Sequence, residues 1–221
     1  MDTDGKRILL WDIDKTLLQS DKRVNLFDDA FEELFGHPRP EGVRVDKSGK
    51  VDGQIAREYL AIEGSDDFGG YMDALNRISI DYYTAHPLTC VAGIPDVLRM
   101  ALAAGAINGL YTGNTQERAR VKLTAAGIPP QGYFNGFEHG AVFCQGYTSN
   151  RLDGVRDVLS LFNPQRLLVI GDTQRDHDLA LALGCGFWQV GSAPIRDDDA
   201  IRVGGSDDFR GEAARRFLSV I

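Results

Sequence analysis

The apolar residues Ile8, Leu9, Leu10 and Trp11 run without a break into Asp12-Ile13-Asp14-Lys15-Thr16. A continuous apolar run suits a central parallel strand buried on both faces, here about residues 7–11. The pattern then changes period. Leu26, Phe27, Ala30, Phe31, Leu34 and Phe35 recur at helical spacing, and Gly36-His37-Pro38-Arg39-Pro40 ends the helix. Residues 43–53 read as a loop or short hairpin. Ile55, Tyr59 and Ile62 mark a second helix ended by Gly64, and Phe68, Tyr71, Met72, Leu75, Ile78 and Tyr82 mark a third.

From His86-Pro87 onward strands and helices alternate. Ile94, Val97, Leu98, Ala101 and Leu102 form a helical stripe. Residues 106–111 read as a strand. Residues 115–126 read as a helix stopped by Gly127 and Pro129-Pro130. Short apolar pieces at 133–137 and 141–144 precede a stripe of Val155, Val158, Leu159 and Phe162. Residues 166–170 and 187–190 are expected as strands, 176–183 and 209–220 as helices. Such alternation implies a parallel sheet covered on both faces. The expected fold is therefore α/β, a doubly wound Rossmann-like parallel sheet with an inserted α-helical cap. The core domain would be residues 1–18 and 86–221, and the cap domain residues 19–85.

Composition narrows the partners. The 221 residues are 43% hydrophobic and 25% charged, with a net charge of −8. That balance disfavours a nucleic-acid or anionic-membrane partner, which calls for a basic patch. The polar N-terminus does not read as a signal peptide, and no apolar run approaches the ~20 residues of a membrane span. Cys90, Cys144 and Cys185 are scattered, so free thiols in a reducing cytoplasm are the expectation. Oligomeric state is open between monomer and dimer.

Three strands end in polar, loop-forming residues: Asp12-Ile13-Asp14-Lys15-Thr16, Thr112-Gly113-Asn114, and Gly171-Asp172-Thr173-Gln174-Arg175-Asp176. In a parallel sheet these ends share one edge, the edge where α/β folds bind ligands. Asp12, Asp14, Asp172 and Asp176 would then converge and repel one another unless a cation lay between them. With no His or Cys beside them, the donor set is all oxygen and suits a hard cation, Mg2+ foremost. One aspartate could attack phosphorus, and Asp14 could pass protons to and from the leaving and attacking oxygens. Thr112 and the N–H groups of Gly113 and Asn114 could hold phosphoryl oxygens, completed by a basic side chain.

This ordered set resembles the haloacid dehalogenase (HAD) superfamily of phosphohydrolases. Asp12-x-Asp14-x-Thr16 looks like its first motif, the strand ending at Thr112 its second, and Gly171-Asp172-x-x-x-Asp176 its fourth. The stretches Thr112–Asn114, Lys122–Ile128 and Asp52-Gly53-Gln54-Ile55 are similar to its phosphoglycolate-phosphatase-like branch. The resemblance implies a Mg2+-dependent phosphatase acting on a small phosphate ester. Asp12 would be the nucleophile and Asp14 the general acid/base. The Asp12 side chain, the Asp14 carbonyl and Asp172 would bind the metal, with Asp176 in support, and Thr112 would bind phosphate. Two residues depart from the family pattern. Lys15 stands where a glycine is usual, and Arg151 stands for the third-motif lysine. Lys122, within a helical pattern, is the alternative to Arg151 but reads as a surface residue.

Plainer roles compete at several positions. Thr112 or Asp176 could cap a helix, and His139 and His177 read as structural or exposed. Arg44, Lys47 and Lys50 read as a solvated loop that could also meet an anionic substrate. A phosphomutase and a catalytically weak binding protein are the alternatives to a phosphatase. Dehalogenation has no use for an acid at Asp14.

Overall fold

The computed structural model describes residues 7–19, 24–47, 49–135, 142–144, 155, 164–196 and 202–221. Six parallel strands form one sheet, ordered β5-β4-β1-β6-β7-β8. These are β1 (Arg7–Trp11), β4 (Ile107–Thr112), β5 (Val142–Cys144), β6 (Arg166–Gly171), β7 (Gly186–Val190) and β8 (Arg202–Ser206). β1 lies between β4 and β6. The chain adds β4 and β5 on one side of β1, then returns to build β6, β7 and β8 on the other. The end of β1 is therefore a topological switch point, where the flanking loops part and leave a crevice.

Successive residues of β1 point to opposite faces. Leu9 and Trp11 join a core with Val97 and Leu98 of α4 (Ile94–Ala103), Ala119 and Leu123 of α5 (Gln116–Ala125), and Phe217 of α8 (Gly211–Val220). Ile8 and Leu10 join a second core with Val169, Phe187, and Leu179 and Ala180 of α7 (Gln174–Leu183). Burial on both faces is why β1 carries no alternation. The buried Asn108 of β4 is an exception among apolar neighbours. It accepts from Trp11 Nε1 (3.1 Å), and its Nδ2 donates to Leu98 O (2.9 Å) and Tyr133 O (3.0 Å), so its amide is satisfied.

Between β1 and α4 the chain makes a helical insert of α1 (Leu26–Phe35), α2 (Asp52–Glu63) and α3 (Phe68–Ala85). Its own core includes Phe31, Tyr59, Tyr71 and Leu75. The Tyr71 hydroxyl donates to Phe27 O at 2.7 Å, tying α3 to α1. A two-residue antiparallel pair, β2 (Leu18–Gln19) with β3 (Thr89–Cys90), joins the insert's exit to its return.

Among the described residues the expected strands and helices are present, most of them within a residue or two of their ends, while α2 begins at Asp52, inside the expected loop. β2 and β3 escape a periodicity reading because two residues carry no period. β8 escapes it because Arg202-Val203-Gly204-Gly205-Ser206 is largely polar and glycine-rich. The apolar piece expected at 133–137 begins as the short helix α6 (Pro130–Tyr133). Arg151, His139 and most of the 155–162 stripe lie outside the described residues. Among the described residues, no helix is long and apolar enough to cross a membrane.

Candidate active site

Strand β1 ends at Trp11, and the Asp12 N–H still donates to Ile170 O at 3.0 Å, so Asp12 is held at the strand tip beside β6. The chain then turns sharply: Leu17 and Leu18 N–H donate to Ile13 O (each 3.0 Å) and Lys15 N–H to Leu18 O (2.7 Å). The turn puts Lys15 at φ 64, the one non-glycine positive φ among the described residues. A β-carbon in that region costs about 1–2 kcal/mol, which is why glycine is favoured at such a position.

Asp172 follows β6 directly, and Asp176 lies in the first turn of α7. Asp176 accepts from Thr173 N (3.0 Å) and Thr173 Oγ1 (2.6 Å), so it closes the helix start as part of a capping box. Thr173 is the N-cap and Asp176 its partner three residues on. A β-carbon on Gly171 would collide with the Asp176 carboxylate, so this close approach requires glycine there. Asp12, Asp172 and Asp176 are all buried, and one carboxylate oxygen from each lies within 4.8 Å of the others. Burial, then the charge of Asp176, push the Asp172 pKa up to about 6, with the Lys15 charge acting in the opposite direction. Three crowded, buried carboxylates form an all-oxygen donor set fit for a hard divalent cation.

A second cluster faces this one. Thr112 is fully buried at the tip of β4, and its Oγ1 accepts from Asn114 N (3.2 Å) and Asn114 Nδ2 (2.7 Å). Asn114 Nδ2 also donates to Asp14 Oδ2 at 2.8 Å. Lys122 Nζ donates to Asp14 Oδ1 (2.7 Å), Asp14 Oδ2 (2.9 Å) and Asn114 Oδ1 (2.8 Å). Asp14 stands on a cleft wall, 51% open to water yet with protein on most other sides. That crowding works to raise its pKa, but the Lys122 charge and its hydrogen bonds outweigh it and hold the carboxyl down to about 2.

The surface role expected for Lys122 is thus corrected: its side chain is 4% exposed and bound to Asp14. The reason lies in α5. Arg118, Ala119, Lys122 and Leu123 share the buried face at i, i+1, i+4 and i+5, so two cations replace part of an apolar stripe. Arg118, which the sequence pattern did not single out, makes a close ion pair with Asp52 through Nη1, off the line of a hydrogen bond. Its Nε donates to Ser79 Oγ at 3.0 Å. Asp52 Oδ2 accepts from Thr115 N at 2.9 Å, and Asp52 N donates to Gly113 O at 2.8 Å. Thr115 also caps α5 by accepting from Arg118 N, so that role does not fall to Thr112. The first residue of α2 is therefore bonded into the loop after β4. The signal available in the sequence was the placement of Arg118 and Lys122 four apart on the Ala119–Leu123 face.

Both clusters open into one cavity of about 410 Å3. Its walls include Asp12, Asp14, Thr112, Gly113, Asn114, Asp172 and Asp176, which are all the expected site residues except Arg151. The insert contributes Phe27, Lys47, Gly49, Lys50, Asp52 and Ile55. Lys47 and Lys50 are thus cavity residues, whereas Arg44 is exposed elsewhere on the loop. Lys50 is paired with Glu58 at 2.6 Å. Lys47 bonds to the Asn25 amide oxygen, lies 5.8 Å from the Phe27 ring centre, and is in no salt bridge among the described residues, although the Asp28 charge acts on it. His177 is buried edge-on to Phe187, a structural position.

No known family model matches the sequence, and no curated protein is significantly similar to it. Solved structures do resemble the fold. CbbY from Rhodobacter sphaeroides, crystallised with phosphate, matches with a TM-score of 0.68 over 92% of this chain and 95% of that one, at 17% identity. A predicted phosphoglycolate phosphatase from Haemophilus somnus matches at 0.64 over 97% and 98%, also at 17% identity. A haloacid dehalogenase-like hydrolase from Streptococcus pneumoniae matches at 0.57 over the full length of both chains, at 12% identity. With β1 at the switch point, acids at the strand tips and a helical insert after the first of them, this chain has the fold of the haloacid dehalogenase-like proteins.

Proposed function

We propose that the protein is a hydrolase that cleaves a small organic phosphate monoester through a phosphoryl group carried on Asp12. The observation that carries this reading is one cavity with an acid cluster on one wall and the Lys122-Asp14-Asn114-Thr112 network on another. Residues 19–85 act as the cap domain over a core of residues 1–18 and 86–221.

Asp12 attacks phosphorus with its carboxylate, and water later releases the phosphate from the acyl phosphate so formed. Asp12, Asp172, Asp176 and the Asp14 carbonyl would hold the cation. Bound there, Mg2+ would shield the Asp12 carboxylate from the phosphate's charge and stabilise charge developing on its oxygens. Lys122, the Thr112 hydroxyl and the Gly113 N–H bind the phosphoryl oxygens, with Asn114 holding Thr112 and Asp14 in place. Its contact with Lys122 keeps Asp14 ionised before substrate enters. An entering phosphate competes for that ammonium and adds negative charge beside Asp14. Both effects raise the Asp14 pKa, the direction required of a group that protonates the leaving alkoxide. Ionised again, Asp14 takes the proton from the attacking water.

The cavity's insert side favours a substrate with a second anionic group, since Lys47 lines it and is in no salt bridge among the described residues. The CbbY structure solved with xylulose-1,5-bisphosphate shows a protein of this fold accepting such a molecule.

The test is phosphate release from a panel of sugar phosphates, bisphosphates, nucleotides and phosphoglycolate, with Mg2+ and with EDTA. Release from at least one ester, abolished by EDTA and by Asp12→Asn, is the expected outcome. Full turnover by Asp12→Asn would refute the mechanism. Isomerisation of a sugar phosphate with a bisphosphate primer, and little phosphate release, would make the protein a mutase.

A further inference from the structure

Lys15 occupies an expensive backbone position. It is the only described residue with a β-carbon at positive φ. Strain of this kind collects where a side chain is needed for function. Its side chain lines the same cavity as Asp12, Asp172 and Asp176, and its ammonium is in no salt bridge among the described residues. Lys15 follows Asp14 in the turn that leaves the tip of β1, three residues after Asp12, so its charge is carried at the same sheet edge as the acids. Lys47, Lys50, Arg118 and Lys122 are each held by other partners. Among the described cavity cations, Lys15 is therefore the one carried on the turn at the tip of β1, next to the strand end that bears Asp12.

We propose that Lys15 is a built-in counter-charge to Asp12, Asp172 and Asp176, which steadies them when no divalent cation is bound and weakens the binding of one. The proposal rests on reading those aspartates as metal ligands. The ammonium stabilises the metal-free acids and repels an incoming cation, so one charge sets both effects. Their common origin makes them separable from the strain of the turn. Lys15→Met removes the charge and keeps the β-carbon, Lys15→Arg keeps both, and Lys15→Gly removes both.

The experiment is calorimetric titration of Mg2+ and of Mn2+ into the EDTA-stripped full chain, with melting temperatures taken in EDTA and in saturating Mg2+. Lys15→Met and Lys15→Gly are expected to bind Mg2+ on the order of tenfold more tightly than the unsubstituted protein, the effect of one nearby charge. Lys15→Arg is expected to match the unsubstituted protein. In EDTA, Lys15→Met melts lower than the unsubstituted protein, and Mg2+ raises its melting temperature by more. Unchanged affinity in Lys15→Met, or Lys15→Arg behaving as Lys15→Met does, overturns the counter-charge. No heat and no melting shift in any of the four proteins overturns the metal-site reading and the proposal together.

Discussion

Lys122 and Asp14 depend on each other. A buried ammonium needs a negative partner, and the Asp14 carboxyl is held near a pKa of about 2 by that ammonium. A carboxyl depressed in the folded state from 3.8 adds stability that is present above the unfolded value. That stability is lost as pH falls toward about 2. Replacing Lys122 with Met removes the compensating charge and leaves the crowding that raises the pKa. The Asp14 carboxyl, followed by carbon-13 NMR, is expected to titrate above its ordinary value in that variant, and the low-pH stability contribution to vanish. Lys15 carries a second residue-scale prediction. In saturating Mg2+, Lys15→Gly is expected to be more stable than Lys15→Met by about 1 kcal/mol in denaturant melts. The relief of a left-handed β-carbon, about 1–2 kcal/mol, is offset in part by glycine's freedom in the unfolded chain.

At the scale of elements, α5 joins the sheet to the insert. One side of it gives Ala119 and Leu123 to the core. Arg118 reaches Asp52 of α2 and Ser79 of α3, and Thr115 Oγ1 donates to Asn76 Oδ1 of α3 at 2.6 Å. Burial works against the Arg118 charge, but Asp52 outweighs it. Removing one member of a buried pair strands the other, at a cost of roughly 3–5 kcal/mol. Arg118→Ala is expected to lose that much in urea unfolding. The double variant Arg118→Met, Asp52→Leu is expected to recover much of the loss, since neither charge is then left buried alone. The same bonds fix where α2 begins, so they also set the height of the insert loop above the acids.

For the whole molecule, the sheet order makes a site out of distant residues. β4 and β6 flank β1, so Thr112 and Asp172 arrive beside Asp12 although they lie 100 and 160 residues further along the chain. The insert then adds Lys47 to the walls of the cavity that holds the acids. In the reading proposed here, Lys47→Met raises KM about tenfold for bisphosphate or carboxylate-bearing esters, the loss of one charge contact. It leaves KM for esters with a neutral tail unchanged, which steady-state kinetics on paired substrates would check. Equal effects on both classes would remove Lys47 from substrate selection.

The unbroken apolar run of β1, the repeated change of period and the acids after two strands were legible in the chain because burial and backbone period are local properties. They were enough to read a parallel α/β sheet, a helical insert and the meeting of Asp12, Asp14, Asp172 and Thr112 at one sheet edge, while the roles expected of those residues came from the family resemblance. The two-residue strands β2 and β3 were not legible, because pairing rather than pattern makes them strands. Nor were the burial of Lys122 and Arg118 or the reach of Lys47 into the cavity. A charged side chain on a helix reads as solvated until its partner is known. The partners, Asp14 and Asp52, lie far away in sequence and meet it only when the sheet and the insert are assembled.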